Sequence, residues 1–104
     1  MRFIAKIRFP VDTGNEALKD PEFGAKIQHL LTDMNAEAAY FTTIDGQRGG
    51  YVIVNIDEAS RIPALAEPWF QWLEADVEFL PCMLPEDLGA AGGDIEAAVN
   101  EWGD

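Results

Sequence analysis

Residues 36–57 read AEAAYFTTIDGQRGGYVIVNID, and this stretch decides the fold. Two runs rich in β-branched and aromatic residues flank the turn-forming DGQRGG, which predicts a β-hairpin. Asp45-Gly46 and Gly49-Gly50 can both take the positive φ values that such a connection needs. The returning run alternates: Val52, Val54 and Ile56 form an aliphatic face, while Tyr51, Ile53, Asn55 and Asp57 form a mixed one. For the outgoing run two facings stay open, with Tyr40 and Thr42 on one side of the sheet and Phe41 and Thr43 on the other, either way round.

Working outward toward the N-terminus, Phe3, Ala5, Ile7 and Phe9 alternate with Ile4, Lys6 and Arg8, which predicts a strand that Pro10 ends. VDTGN reads as a loop, followed by a short helical turn around Glu16 to Lys19. Asp20-Pro21 should start the first main helix, with Asp as cap and Pro in the first turn. Phe23, Ile27, Leu30, Leu31 and Met34 recur at spacings of three and four and give it one apolar stripe. Asn35 is its left-handed stop, and His29 falls off the stripe toward solvent.

Beyond the hairpin, Asp57 or Ser60 can cap a second helix running to about Leu73, with Ile62, Leu65, Ala66, Trp69, Phe70 and Leu73 as its stripe. Pro63 suits its first turn, whereas Pro68 should kink or split it and make Trp69 and Trp72 the wall of a pocket. Val77 to Met83 alternates as a last strand, which Pro81 confines to an edge or a bulge. PEDLGAAGG then reads as a loop with Gly92-Gly93 as linker. Asp94 caps a short helix whose Ile95, Val99 and Trp102 need a surface to dock on.

The order β-α-β-β-α-β with right-handed crossovers predicts an α+β, ferredoxin-like fold. Its four-stranded antiparallel sheet runs fourth, first, third, second, with both helices on one face. Residues 1–88 form this single domain and 89–104 a C-terminal tail with its short helix. The open face of the sheet would carry Ile4, Lys6, Arg8, Tyr51, Ile53, Asn55, Glu78 and Leu80. It is too apolar for water and too polar for a dry core. A second copy meeting it face to face would bury it, with Lys6 or Arg8 pairing Glu78, so a homodimer is the expected assembly.

A net charge of -12, from 19 acidic and 7 basic residues, opposes phosphate backbones and anionic lipid. No nucleic-acid or membrane partner is therefore expected, and no apolar run approaches a membrane span. One cysteine, Cys82, excludes an internal disulfide and fits a reducing, cytoplasmic location. Ser60, Cys82 and His29 are each the single residue of their type, which leaves no nucleophilic triad and no nitrogen or sulfur metal site. No cofactor is expected, because the hairpin glycines precede no helix and so form no phosphate cradle.

In size, strand order and the pattern AYFTTIDGQRGGYVIVNIDEASRIPALAEPWFQWLEADVEFLPCMLPEDL, the chain resembles the dimeric α+β barrel superfamily. That group includes muconolactone isomerase-like, YciI-like and antibiotic-biosynthesis-monooxygenase-like proteins, and the resemblance is nearest to small bacterial members with no assigned activity. It covers residues 1 to about 88 and is architectural. It implies a homodimer whose sheets face one another and a pocket between sheet and helices in each subunit. It carries over no catalytic set, since His29 matches no histidine-aspartate pair of the YciI-like kind.

The residues themselves offer a pocket of aromatic side chains. Tyr40 or Phe41, Tyr51, Trp69, Phe70 and Trp72 could surround a small apolar or aromatic ligand, with Arg8, Arg48, Asn55 or Asp57 as polar anchors, or these rings simply fill the core. If the pocket is catalytic, Asp57 is the expected proton-transfer group, aided by Tyr51 or His29, with Glu78 second to it. The competing reading makes Asp57 a helix cap. Three functions stay open: a small-molecule-binding homodimer, a cofactor-free isomerase or monooxygenase on an aromatic or polyketide-like substrate, and a structural or regulatory partner domain.

Overall fold

The alternation that begins at Phe3 builds the central strand, and the computed structural model, which describes residues 1–104, assembles the remainder around it. β1 (Arg2–Arg8) pairs antiparallel with β3 (Gln47–Asn55) on one side and with β4 (Asp76–Pro81) on the other. β2 (Ala38–Ile44) extends the sheet beyond β3, which gives the order β2-β3-β1-β4 expected of a ferredoxin-like α+β fold. The helices are α1 (Val11–Ala17), α2 (Phe23–Asp33), α3 (Ile62–Leu73), α4 (Pro85–Ala90) and α5 (Gly92–Trp102), with one 3-10 turn at Ala59–Arg61. None of them is long and apolar enough to cross a membrane.

The core lies on one face of the sheet. Ala5, Ile7 and Phe9 meet Val52, Val54 and Ile56 there, covered by Leu30 of α2, by Met34 just after it, and by Leu65, Trp69 and Leu73 of α3. The strand faces read from the alternation therefore hold. The register settles the facing of β2: Ala39 stands opposite Val52 and Phe41 opposite Gly50 on the helix side, while Tyr40 stands opposite Tyr51 on the open side.

The hairpin is tighter than DGQRGG suggests. Ile44 pairs with Gln47, so Asp45 and Gly46 alone make the turn, with φ of 51° and 78°. Both central residues are left-handed, as a two-residue hairpin whose twist matches its strands requires. Gly49 and Gly50 are strand residues opposite Arg8 and Ile7, not turn residues. What demands glycine there is proximity. A Cβ on Gly49 would collide with the Ile7 carbonyl oxygen, and one on Gly50 would lie 2.5 Å from that of Tyr40.

Helix boundaries bring further corrections. VDTGN is not a loop, because Val11–Ala17 is helical and packs Gly14 against Phe9 and Arg48, where a Cβ would push the Arg48 guanidinium aside. Asp20 does not cap directly: α2 starts at Phe23, and the Asp20 carboxylate accepts the Glu22 N–H at 2.8 Å just ahead of it. Asn35 is the expected left-handed stop, with φ 50°, and the Ala36 N–H closes onto the Leu31 carbonyl at 3.1 Å. Neither Asp57 nor Ser60 caps α3, which has no side-chain cap; the Ser60 hydroxyl donates to Glu58 at 3.3 Å instead. Pro68 does not split the helix, which runs unbroken from Ile62 to Leu73.

On the open face, Ile4, Lys6, Tyr51 and Ile53 are half-buried, and Tyr40 and Leu80 are exposed. Lys6 and Glu78 are register partners but form no ion pair. Arg8 turns away from Glu78 to bind Asp45 at 2.6 Å and Asp76 at 3.0 Å.

The C-terminal residues form more helix than expected. α4 spans residue 88 and absorbs the supposed loop, while Gly92 and Gly93 open α5, with Asp94 in its first turn and not at its cap. Of the two surfaces on which this helix could dock, its own subunit or a mate, the chain's own body is not used. Leu88, Ile95, Val99 and Trp102 are all at least half exposed, Trp102 at 82%. The radius of gyration is 17.4 Å, against about 13 Å for a compact chain of 100 residues. The helical arm therefore projects from the body.

Candidate functional site

The stripe of α2 is wider than its contact with the sheet. Leu30 and Met34 seat in the core, whereas Phe23, Ile27 and Leu31 stay half-buried along the other flank. They stand at i, i+4 and i+8, one row on the helix surface. Beneath that row the sheet has lost a side chain, because Gly50 stands on the helix side of β3 where an ordinary strand would fill the space, while Gly49 beside it contributes backbone to the lining. Gly24 removes another side chain from the helix. A cleft of about 500 Å³ results between α2 and the strands, a size typical of small-molecule sites.

Its wall is apolar and aromatic: Ile7, Phe9, Phe23, Ile27, Leu31, Phe41, Val52 and Trp69, together with the three glycines. Trp69 is only 2% exposed and forms the floor, its indole N–H pointing to the Met34 sulfur at 3.4 Å. Phe41 is 65% exposed even though it faces the helix side, because α2 does not reach the edge strand. The polar lining consists of Gln28, Thr42 and Arg48. None of the chain's 19 carboxylates lines the cleft, and neither does its histidine or either tyrosine.

Arg48 reaches the cleft from β3. Its Nη2 donates to Asn15 Oδ1 at 3.0 Å and its Nη1 to the Val11 carbonyl at 3.4 Å, both on α1. It has no carboxylate partner, unlike Arg2, Arg8, Lys19 and Lys26.

Two residues of the sequence-based candidate set, Trp69 and Arg48, thus come together at the cleft, along with Phe41, the alternative to Tyr40. The others lie elsewhere. Asp57 is exposed beyond the end of β3. Tyr51 and Tyr40 face each other on the open side of the sheet, and Asn55 binds the N-terminal ammonium at 2.9 Å. His29 is exposed on α2, 3.2 Å from Asp33. Trp72 packs on Phe23 at 5.3 Å between ring centres, behind the cleft wall, and Phe70 is 39% exposed on α3. The expected wall at Pro68 is therefore supplied by α2. The row Phe23, Ile27 and Leu31 was visible in the helix periodicity, but only as core.

The perturbed titratable groups all sit outside the cleft. A side-chain hydrogen bond and the charge of Arg2 hold the Glu37 carboxyl below its ordinary range, and the same contact raises Arg2. Asp20 is lowered first by its hydrogen bond to Lys26 and then by that from the Glu22 N–H. No group of three or more His, Cys, Asp or Glu side chains is placed to hold a metal ion. In comparison with known proteins, the chain matches no protein-family model and no curated sequence.

Proposed function

We propose that this chain is a small-molecule-binding protein of the dimeric α+β barrel kind, working as a homodimer and holding one apolar or aromatic molecule per subunit in the cleft under α2. The observation that carries the reading is the cleft itself: about 500 Å³, with eight hydrophobic side chains in its wall and Trp69 at its floor. Binding is favoured over isomerase or monooxygenase chemistry because no carboxylate, histidine or tyrosine lines that wall to move a proton. A purely structural role would leave such a cavity without purpose.

Assembly rests on two uncovered surfaces. The open sheet face exposes Tyr40 and Leu80 and leaves Lys6 and Glu78 without ion-pair partners. The arm exposes the apolar row of α5. Sheet against sheet, two copies would bury at least ~1,200 Å², with each arm laid on its mate.

The test uses the room at Gly24, where a Cβ would meet no atom within 4 Å. Gly24→Phe should obstruct the cleft without a backbone clash. Binding of a neutral aromatic probe such as 2-naphthamide, followed by amide NMR shifts at Ile27, Leu31 and Val52, should be lost in this variant while its melting temperature is retained. A wild-type protein that binds no such probe, or a filled variant that binds it equally well, would overturn the reading. Sedimentation showing a monomer at micromolar concentration would overturn the dimer.

A further inference from the structure

We propose that the ligand of the cleft is an amphipathic anion: an apolar or aromatic body carrying a carboxylate or a comparable small anionic head, which Arg48 binds. The inference rests on the binding reading above and adds the chemical class.

Three observations carry it. The first is the isolation of the charge. Arg48 is the only ionic residue in the wall, and in a chain of net charge -12 it has no carboxylate within ion-pairing distance. Lys6 and Arg61 are also without such partners, but neither lines the cleft. Arg48 is only partly buried, so solvent still reaches its charge, and an anionic ligand in the cleft would replace that solvent with a direct counter-charge.

The second is donor capacity. A guanidinium offers five N–H groups in a planar fork. The contacts to Asn15 and Val11 take two of them, and the other three have no acceptor in the protein. Those two contacts tie the fork to α1, so part of its rotamer freedom is already lost before a ligand arrives. Preorganisation of this kind limits the entropy lost on binding.

The third is the exclusion of competitors. With no acid in the wall, a cationic ligand would meet Arg48 unopposed and be repelled. A neutral ligand could answer those donors only with an uncharged acceptor, whose hydrogen bond to a guanidinium is about half as strong as an anion's. The long-range field of the chain also repels anions, so selection of an anion has to be local, as a charge-assisted hydrogen bond is.

The experiment compares 2-naphthoate with the uncharged 2-naphthamide, which share one ring system, by titration calorimetry and NMR. Naphthoate should bind wild-type protein about tenfold or more tightly than the amide, the factor expected of a hydrogen-bonded charge pair. Arg48→Met should abolish that preference, while Arg48→Lys, a point charge without the fork, should keep part of it. Arg61→Met, which removes an unpaired cation outside the cleft, should leave the preference intact. Amide NMR spectra and melting curves establish that each variant is folded. If both probes bind wild type equally, or if Arg48→Met keeps the preference, the anion assignment is overturned and the cleft stands as an apolar site. If neither probe binds, the binding reading itself fails.

Discussion

Replacing Gly49 by alanine puts one methyl group where the structure has no place for it. The new Cβ would overlap the Ile7 carbonyl oxygen of the neighbouring strand and stand 3.1 Å from both the Arg8 Cα and the Ile44 Cδ1. Two of these three neighbours are backbone of β1, the strand paired on both sides, so relief requires β1 and β3 to separate where Arg8 faces Gly49. The third, Ile44, is itself 5% exposed and has folded over the bare glycine. Overpacking costs about 1–3 kcal/mol, and an immovable backbone contact puts Gly49→Ala at the upper end, about 2–3 kcal/mol. For a domain of this size that is a fall in melting temperature of roughly 10–20 °C. Gly24→Ala supplies the control. The same methyl group meets nothing within 4 Å, the backbone there is helical, and alanine should stabilise by up to about 1 kcal/mol. Urea unfolding followed by circular dichroism, with unchanged denaturant slopes, would read both. A Gly49→Ala midpoint equal to wild type would refute the view that proximity, rather than turn conformation, demands this glycine.

Two more outcomes follow from features outside the cleft. Glu37 and Asp20 have lowered folded-state pKa values, so the unfolded chain takes up protons before the folded one does. Their contribution is present above the ordinary carboxylate range of about 4 and is lost as pH falls through the folded values. Both carboxylates lie at the surface with solvent access, so the effect on stability is small, but side-chain carboxyl NMR should find each titrating below the free amino acid, and a value at or above it would refute the Arg2 and Lys26 assignments. Truncation after Leu88 removes the exposed row Ile95, Val99 and Trp102. It should weaken the proposed dimer in sedimentation while the NMR shifts of the core residues stay fixed, and an unchanged association constant would show that the arm has no part in assembly.

The parts of the fold legible in the sequence are those set by local rules. Period-two alternation placed Val52 and Val54 inward, Pro81 marked β4 as an edge, and Asn35 ended α2, because each depends on a neighbour or two along the chain. Gly49 and Gly50 show where that stops. A glycine needed for positive φ and one needed for its missing side chain are the same letter, and only the approach of Ile7 and Tyr40 across the sheet separates them. α1 was hidden because Gly14, Thr13 and Asn15 are poor helix formers, and the packing of Gly14 under Arg48 is a tertiary reason to be helical. The site was half legible for a related reason. Aromatic residues announce a pocket or a core equally well, and the cleft exists because α2 leaves Phe41 uncovered, a gap that no local pattern encodes.

That uncovered edge has a consequence for colloidal behaviour. From Ala38 to Ile44, β2 presents AAYFTTI, seven residues without a charge or a proline, with Tyr40 and Phe41 each 65% exposed. The opposite edge is guarded by Asp76, Glu78 and Pro81, and β2 carries none of these defences against strand addition. What keeps one β2 from zipping onto another is the mutual repulsion of chains charged at -12, a long-range barrier that salt and acid both erode. Near the isoelectric point of about 4.2 set by its composition that barrier is lowest, and light scattering should rise there first if the β2 edge is the weak point.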